Sequence, residues 1–321
     1  MGRKKALALA LGIIVATSSA WSQEWPARPV RLLVGISPGG LPDIGARILA
    51  RQLATNLKQG VVVENRPGAG GNIAAKAVAT SEPDGYTLLV TGNNHAVNKF
   101  LLPDPGFDYE RDFIPTAIIA GTRMVLVTAP NVPAATVADI IALARKDPAS
   151  INFAIAPVGT PGHLAAELFV QMAKTDITFV PYTGIGAAIP DLMAGRVQMA
   201  FGAVSAVGQL TAVGSLKAIA ISSPTRTNLM PNLPTVSESG LQGFDVDGWL
   251  CLLAPAGTPE TLIIKINEEI AKANASPDVM ESYSKQGISQ TERLKPAEVG
   301  AYLRTESDKW ANVLKNAKAK T

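Results

Sequence analysis

Short apolar runs alternate with amphipathic segments along most of the chain. Residues 29–36 (PVRLLVGI) predict a strand, and residues 43–58 place their apolar side chains on one helical face. The same alternation predicts further strands at 61–64, 86–90, 116–120, 124–128, 151–155, 177–181, 197–201 and 216–221, and further helices at 72–80, 137–145, 163–174 and 187–193. Strands that alternate with helices favour an α/β fold with mostly parallel sheets and helices on both faces.

Beyond residue 240 the pattern changes to one strand followed by helices. The strand is predicted at 246–254, and the helices at 259–273, 278–285 and 296–315. No flexible linker separates the two α/β halves, so we expect lobes joined by crossing strands, at 118–126 and 244–252. The first lobe is then discontinuous: residues 24–122 and 246–321 form lobe 1, and residues 123–245 form lobe 2.

Residues 1–22 have the layout of an export signal. Basic residues at 3–5 precede an apolar run at 6–16, and small residues follow; cleavage after Ala20 or after Ser22 fits this pattern. The run is shorter than the roughly 20 apolar residues that span a bilayer. The sequence therefore predicts a soluble protein of the periplasm.

The composition excludes several classes of protein. With 321 residues, of which 47% are hydrophobic and 17% charged, the chain can fill a large core and is not disordered. The net charge of +3 comes from the leader, because the remaining 26 basic residues (29 less the three at positions 3–5) equal the 26 acidic ones. A neutral body disfavours nucleic-acid binding. One cysteine and two histidines leave little to build a metal site from, and we expect no metal or cofactor.

No catalytic motif is complete. Ser205 lies in GAVSA, which lacks the Gly-x-Ser-x-Gly pattern of α/β hydrolases. His163 and Glu167 share a helical face, but a zinc protease needs two histidines at this spacing, and we expect His163 to form structural hydrogen bonds. We therefore expect no enzyme, and an exported hydrolase that uses Ser205 with His163 stays as an alternative.

Small-residue loops follow several predicted strands and lead into helices. They cover 37–43, 91–95, 157–163 and 182–186, and they contain no lysine or arginine. Ligands of open α/β sheets bind at the carboxyl ends of strands, and helix N-termini offer unpaired N–H groups and partial positive charge. A single loop of this composition would be explained by the preference of turns for glycine and proline. Together they predict a cleft that holds a small carboxylate without a salt bridge.

Several side chains in and near these loops have two possible roles. Asp43 is expected to cap its helix, with ligand contact as the alternative. Thr160 and Thr183 either cap helices or donate hydroxyl groups to a carboxylate. Trp249 either lines the cleft or packs in the core. Arg47 is expected to form an ion pair.

Five segments carry a family resemblance. They are WPARPVRLLVGISPGGLPD, VVVENRPGAGGNIAAKAVA, GTPGHLAAELF, VPYTGIGAAIPDLMAGRVQMAF and DGWLCLLAPAGTPETLIIKIN. In this order the chain resembles the extracytoplasmic solute receptors of tripartite tricarboxylate transporters, the Bug or TctC family, over the whole mature length. The resemblance implies a two-lobed periplasmic-binding-protein fold of the type II-like, Venus-flytrap kind, in which GAGG at 68–71 packs a helix against the sheet.

The resemblance also implies how the protein works. A small carboxylate is held between the lobes by backbone amides and ordered waters, and a monomeric receptor delivers it to a large and a small integral membrane subunit. A periplasmic sensor that reports the same solute to a signalling partner is the alternative. The candidate ligand-binding residues, including those that follow strands 86–90 and 197–201, are Gly39, Gly40, Asp43, Asn93, His95, Gly159, Thr160, His163, Thr183, Gly184, Ala187 and Ser205.

Two positions depart from the family pattern. Ile155-Ala156-Pro157 replaces small polar residues and a glycine, and Leu41-Pro42 replaces a Ser/Thr-like pair. These changes remove N–H and O–H donors. They predict a ligand whose far end is less polar than citrate, such as an aromatic or short monocarboxylic acid.

Overall fold

The computed structural model describes residues 25–102, 104–289 and 293–315. The predicted leader at 1–22 lies outside these residues. The strands are β1 (Val30–Val34), β2 (Val61–Asn65), β3 (Thr87–Gly92), β4 (Phe113–Thr128), β5 (Asn152–Ile155), β6 (Thr178–Pro181), β7 (Met199–Ala203), β8 (Lys217–Ile221), β9 (Asp247–Pro255) and β10 (Ile288–Ser289). The helices are α1 (Leu41–Leu57), α2 (Asn72–Ala79), α3 (Asn93–Leu101), α4 (Val137–Lys146), α5 (Pro161–Ala173), α6 (Ile185–Met193), α7 (Val204–Ala212), α8 (Glu260–Asn274), α9 (Pro277–Lys285) and α10 (Pro296–Leu314).

Strand β4 belongs to two sheets and joins the two halves of the molecule. In the first sheet, ordered β2-β1-β3-β9-β4, residues 113–123 of β4 pair antiparallel with β9. In the second sheet, residues 124–128 pair antiparallel with β7, which leads on to β5 and β6. Strand β1 is parallel to β2 and β3, and β5 is parallel to β6 and β7. The two-lobed α/β fold is confirmed, with a parallel group in each lobe and antiparallel pairing along β4.

Four elements differ from the sequence prediction: helix α7 and strand β10 were not predicted at all, and β4 and α3 depart from the prediction for their residues. The strands expected at 116–120 and 124–128 are one strand, because the residues between them continue to pair with β9. Helix α3 begins within the segment 91–95 that we predicted as a loop. Its sequence, NNHAVNKFL, has apolar residues only after its first three positions, and its buried face also contains Asn93, His95 and Asn98, which the apolar pattern does not indicate. Long-range hydrogen bonds, described below, hold this helix in place.

Apolar cores lie on both faces of the first sheet. Successive residues of β1 alternate between them, as strand geometry requires, so that Leu32 packs with α1 and α8 while Leu33 faces the opposite core. The core on the Leu33 side continues into the second lobe. There Phe201 stacks between Phe153 and Phe244, with ring centroids 5.7 and 5.8 Å apart. Because Leu33 of the first lobe and Phe201 of the second belong to one apolar cluster, the two lobes are in contact on this face.

A buried carboxylate fixes the last helix to the first sheet. Glu306 Oε2 on α10 accepts hydrogen bonds from the indole N–H groups of Trp249 (3.1 Å) and Trp310 (3.2 Å). Trp249 is 3% exposed and packs against the ring of Tyr302. Of the two readings of Trp249, the structure supports the core position.

Candidate ligand-binding site

The carboxyl ends of the parallel strands meet where β4 passes from one sheet to the other. In the first sheet, β3 ends beside the start of β9, whose first residue, Asp247, pairs with Arg123 of β4. In the second sheet, β7 ends at Ala203, which pairs with Met124. The helices that follow β1, β3, β5, β6 and β7 therefore begin around this junction, where a ligand of an open α/β sheet would bind.

These helices present their N-termini without side-chain caps. No side chain caps α1, α3, α5, α6 or α7, and the N-cap residues are Gly40, Gly92, Thr160, Gly184 and Ala203. The Thr160 hydroxyl donates to the Pro157 carbonyl oxygen at 2.7 Å and so does not cap its helix. The first N–H groups of a helix have no partner within the helix, so these termini can receive an anion.

Asp43 does not cap α1 as expected, because it lies in the first turn of the helix; instead it shapes the loop before the helix. Its Oδ2 accepts from the Gly39 N–H at 2.9 Å, and its Oδ1 accepts from Arg47 and Asn65, both at 2.9 Å. Burial raises the pKa of Asp43, but the hydrogen bonds from Arg47, Gly39 and Asn65 together hold it below its usual range. The expected ion pair of Arg47 is confirmed. Gly39 has φ +88°, which favours glycine in this loop, and it is exposed beside Gly40.

His163 is a buried structural residue at the start of α5. It is 0% exposed, and its Nδ1 accepts from the Gly159 N–H at 3.3 Å. Its Nε2 lies 3.5 Å from Glu167 Oε1. The hydrogen bond from the Gly159 N–H to His163 Nδ1 holds the loop at Gly159, whose φ is +81°.

The start of α6 is open. Thr183 and Ala187 are exposed, and a Cβ added at Gly184 or Gly186 would have no neighbour within 4 Å. Within the first turn, the Ala187 N–H donates to the Gly184 carbonyl oxygen at 3.1 Å. A ligand can therefore approach the backbone here without displacing side chains.

The side chains of Asn93 and His95 are already engaged. Asn93 donates to the Asp247 carbonyl oxygen (2.9 Å) and accepts from the Trp249 N–H (3.0 Å), which fastens α3 to β9. His95 Nε2 lies 3.0 Å from the Tyr109 carbonyl oxygen, and its ring packs edge-on against Tyr109 and Phe113. Burial lowers the pKa of His95 to about 4, so the ring is neutral at pH 7.

Segment 68–71 connects the end of β1 to α3. The Gly70 carbonyl oxygen accepts from Asn94 Nδ2 (2.8 Å) and Asn98 Nδ2 (3.0 Å). A Cβ on Gly35, just after β1, would lie 2.6 Å from the Gly71 Cα, so this close approach requires glycine. The packing of GAGG between helix and sheet agrees with what the resemblance implied.

Ser205 and two glycines mark contacts between the lobes. Ser205 is exposed at the start of α7, and its backbone nitrogen would lie 2.8 Å from a Cβ on Gly287. On the other side, a Cβ on Gly159 would lie 3.2 Å from Val97 Cγ2 on α3. No hydrogen bond joins Ser205 to His163 among the residues that the structure describes. The arrangement gives no support to the hydrolase alternative.

An ion pair at the junction was not predicted from the sequence. Arg123 Nη1 on β4 binds Asp247 Oδ2 on β9, at the last pairing of the first sheet. Burial raises the pKa of Asp247 to about 6 against the lowering effect of Arg123. Both residues lie in the predicted crossing segments, but Asp245 lies there too, and only the register of β4 and β9 pairs Arg123 with Asp247.

The described residues show neither a metal cluster nor a membrane span. Across 25–102, 104–289 and 293–315, no group of three His, Cys, Asp or Glu side chains could hold a metal ion. In the same ranges no helix is long and apolar enough to cross a bilayer.

Comparison with known proteins identifies the family. The model of the tripartite tricarboxylate transporter family receptor matches residues 45–318. BugT of Bordetella pertussis is 34% identical over 316 residues, which cover 97% of both chains. Rpa4515 of R. palustris, solved with adipate, shares 32% identity and a TM-score of 0.81, over 91% of this chain and 98% of its own. The periplasmic binding protein BugD shares 29% identity and a TM-score of 0.79, over 92% of this chain and 99% of its own. The chain therefore belongs to the tripartite tricarboxylate transporter receptor family, also called Bug or TctC.

Proposed function

We propose that the protein is a periplasmic receptor that captures a small organic carboxylate for a tripartite tricarboxylate-type secondary transporter. One observation carries this proposal: uncapped helix N-termini from both lobes meet at one junction, and their loops contain no lysine or arginine. Helix N-termini stabilise an anion through N–H groups and partial charge. The related Rpa4515, solved with adipate, supports a carboxylate as the class of ligand.

The ligand contacts come from both lobes, 24–122 with 246–321 and 123–245. The proposed contacts are at Gly39, Gly40, Thr160, Thr183, Gly184 and Ala187. Asp43, Gly159 and His163 position these loops through the hydrogen bonds described above. Asn93 and His95 are left out because their side chains are buried and hydrogen-bonded to distant residues, and Ser205 is left out because Gly287 lies against its backbone.

The loops favour a ligand with a partly apolar body. Leu41, Pro42 and Pro157 lie beside the proposed contacts, where N–H or O–H donors would suit a more polar acid. A dicarboxylate with a methylene chain, an aromatic acid and a short monocarboxylate all meet this requirement. Calorimetry that finds tight citrate binding and no binding of benzoate-like acids would contradict it.

The ligand stabilises the closed arrangement of the lobes, and the closed receptor delivers it to two integral membrane subunits. A ligand shifts such an equilibrium only by its preference for one state. The exported receptor acts as a monomer after loss of the leader. Ser205 and His163 have no catalytic part in this scheme, because His163 is buried and bonded to its own loop.

A thermal-shift screen of organic acids tests the proposal. One acid bound at about 100 times its Kd adds about 2.7 kcal/mol to the free energy of unfolding. Small-angle scattering on the same sample should then show a decrease in the radius of gyration. Unchanged melting and scattering across aliphatic, aromatic and hydroxylated mono-, di- and tricarboxylates would refute the proposal.

Gly186 allows a matched test of binding by backbone amides. Gly186→Pro removes one N–H from the first turn of α6, where proline is tolerated, as Pro42 shows at the same place in α1. Gly186→Ala keeps the N–H and adds a Cβ with no neighbour within 4 Å. The proline variant should bind the acid at least tenfold more weakly than the alanine variant. Equal affinities would show that the start of α6 does not hold the ligand.

A further inference from the structure

A cavity of about 100 Å³ lies behind α3, away from the junction of the two sheets. Its walls come from α3, the beginning of β4, the middle of β9 and α10, and they include His95, Phe113, Pro115, Leu253, Leu303 and Arg304. Leu253 is six residues from Asp247 on β9, which is about 20 Å along a strand. The cavity is therefore separate from the proposed carboxylate cleft.

The interior of the cavity is apolar and its mouth carries one uncompensated positive charge. Lys99 at the mouth is paired with Glu110, with Nζ 2.5 Å from Oε1. Arg304 is exposed and forms no ion pair with any residue in the described part of the chain. The His95 ring adds no charge, because burial keeps it neutral at pH 7. Arg304 is thus the group at this site that can bind an anion.

The volume limits the apolar part of a ligand. An engineered cavity of about 150 Å³ holds a benzene ring. A volume of about 100 Å³ therefore suits a short aliphatic chain, with its charged end outside at the mouth. We infer that this cavity is a second binding site, specific for a short aliphatic monocarboxylate whose chain contacts Phe113 and Leu303 and whose carboxylate pairs with Arg304.

Histidine resonances give a readout that is local to the site. The chain has two histidines, His95 in the cavity wall and His163 at the start of α5. In protein labelled with ¹³C at histidine Cε1, His163→Gln assigns the two signals. Titration with isovalerate should then move the His95 signal to saturation, and neutral isovaleramide should bind at least fivefold more weakly.

Three variants test the roles of charge and volume. Arg304→Gln removes the anchor and should weaken isovalerate binding, read at His95, at least fivefold; Arg51→Gln, at an equally exposed helical site on α1, should leave it unchanged. Gly300→Leu adds a side chain to the cavity wall, where a Cβ meets Arg304 Nη1 at 3.5 Å and Pro115 Cγ at 3.8 Å, both ordinary contact distances, and should abolish the shift. A motionless His95 signal, equal titrations by acid and amide, an Arg304→Gln curve that matches Arg51→Gln, or an unchanged shift in Gly300→Leu would overturn the inference.

Discussion

Replacing Gly159 by alanine separates lobe closure from backbone strain. Gly159 has φ +81°, and its added Cβ would lie 3.2 Å from Val97 Cγ2 and 3.3 Å from Asn98 Oδ1, both on α3 of the other lobe. Gly214 has φ +76° and no atom within 4 Å of an added Cβ. Both substitutions strain the backbone, and only the first adds a contact between lobes.

The two effects have different magnitudes and different readouts. An L-residue in the left-handed region costs about 1–2 kcal/mol, so both variants should lose about this much free energy of unfolding. Crowding at a packed contact costs about 1–3 kcal/mol more. Because the contact exists when the lobes are together, this second cost should weaken ligand binding by about 5- to 150-fold. Gly214→Ala should bind the ligand with wild-type affinity.

Calorimetry with the acid found in the screen measures the affinity, and urea denaturation of the ligand-free protein measures the strain. Small-angle scattering should show a larger unliganded radius of gyration for Gly159→Ala than for Gly214→Ala. If the two variants bind the acid equally well, the contact between Gly159 and α3 does not belong to the closed state, and the reasoning is wrong.

Three further changes test other parts of the structure. Asp43→Asn should lower the free energy of unfolding by about 1–3 kcal/mol. Because the pKa of Asp43 is lowered on folding, its contribution to stability is lost as pH drops below about 4, so in urea denaturation the variant should lose less stability over this range than the wild type. The pKa of Asp247 is raised by burial to about 6, so its ionisation destabilises the fold: stability should fall by up to about 3 kcal/mol as pH rises from about 4 to 6, and Asp247→Asn should remove this slope. Glu306→Leu leaves the Trp249 and Trp310 N–H groups unpaired and should lower the free energy of unfolding by about 2–6 kcal/mol, measured by urea denaturation followed by tryptophan fluorescence. Glu306→Gln should lower it less.

Local sequence patterns were sufficient where an element depends on its own residues. The apolar run of β1 and the amphipathic repeat of α1 lie within a few residues of their predicted bounds. The small-residue loops follow strands because glycine and proline interrupt both kinds of regular structure. The five family segments alone indicate the two-lobed fold.

Elements that depend on distant residues were missed. Helix α3 has a buried face that is partly polar, and its first residue is held by Asp247 and Trp249, more than 150 positions away. The pairing of Arg123 with Asp247 likewise depends on the register of β4 and β9. No local pattern contains this information. Which residues contact the ligand stays a prediction for the same reason, since it depends on how the lobes close.

An interior strand of the first sheet, β9, is also one of the last to be synthesised. Strand β9 lies between β3 and β4, yet β4 ends at Thr128 and β9 begins at Asp247. Until β9 arrives, β3 and β4 keep open edges that can pair with other chains. A nascent chain therefore cannot complete its first lobe early, and pairings this far apart in sequence form slowly. Such delayed assembly leaves the polypeptide unfolded for longer, which is compatible with the export before folding that the proposed function requires.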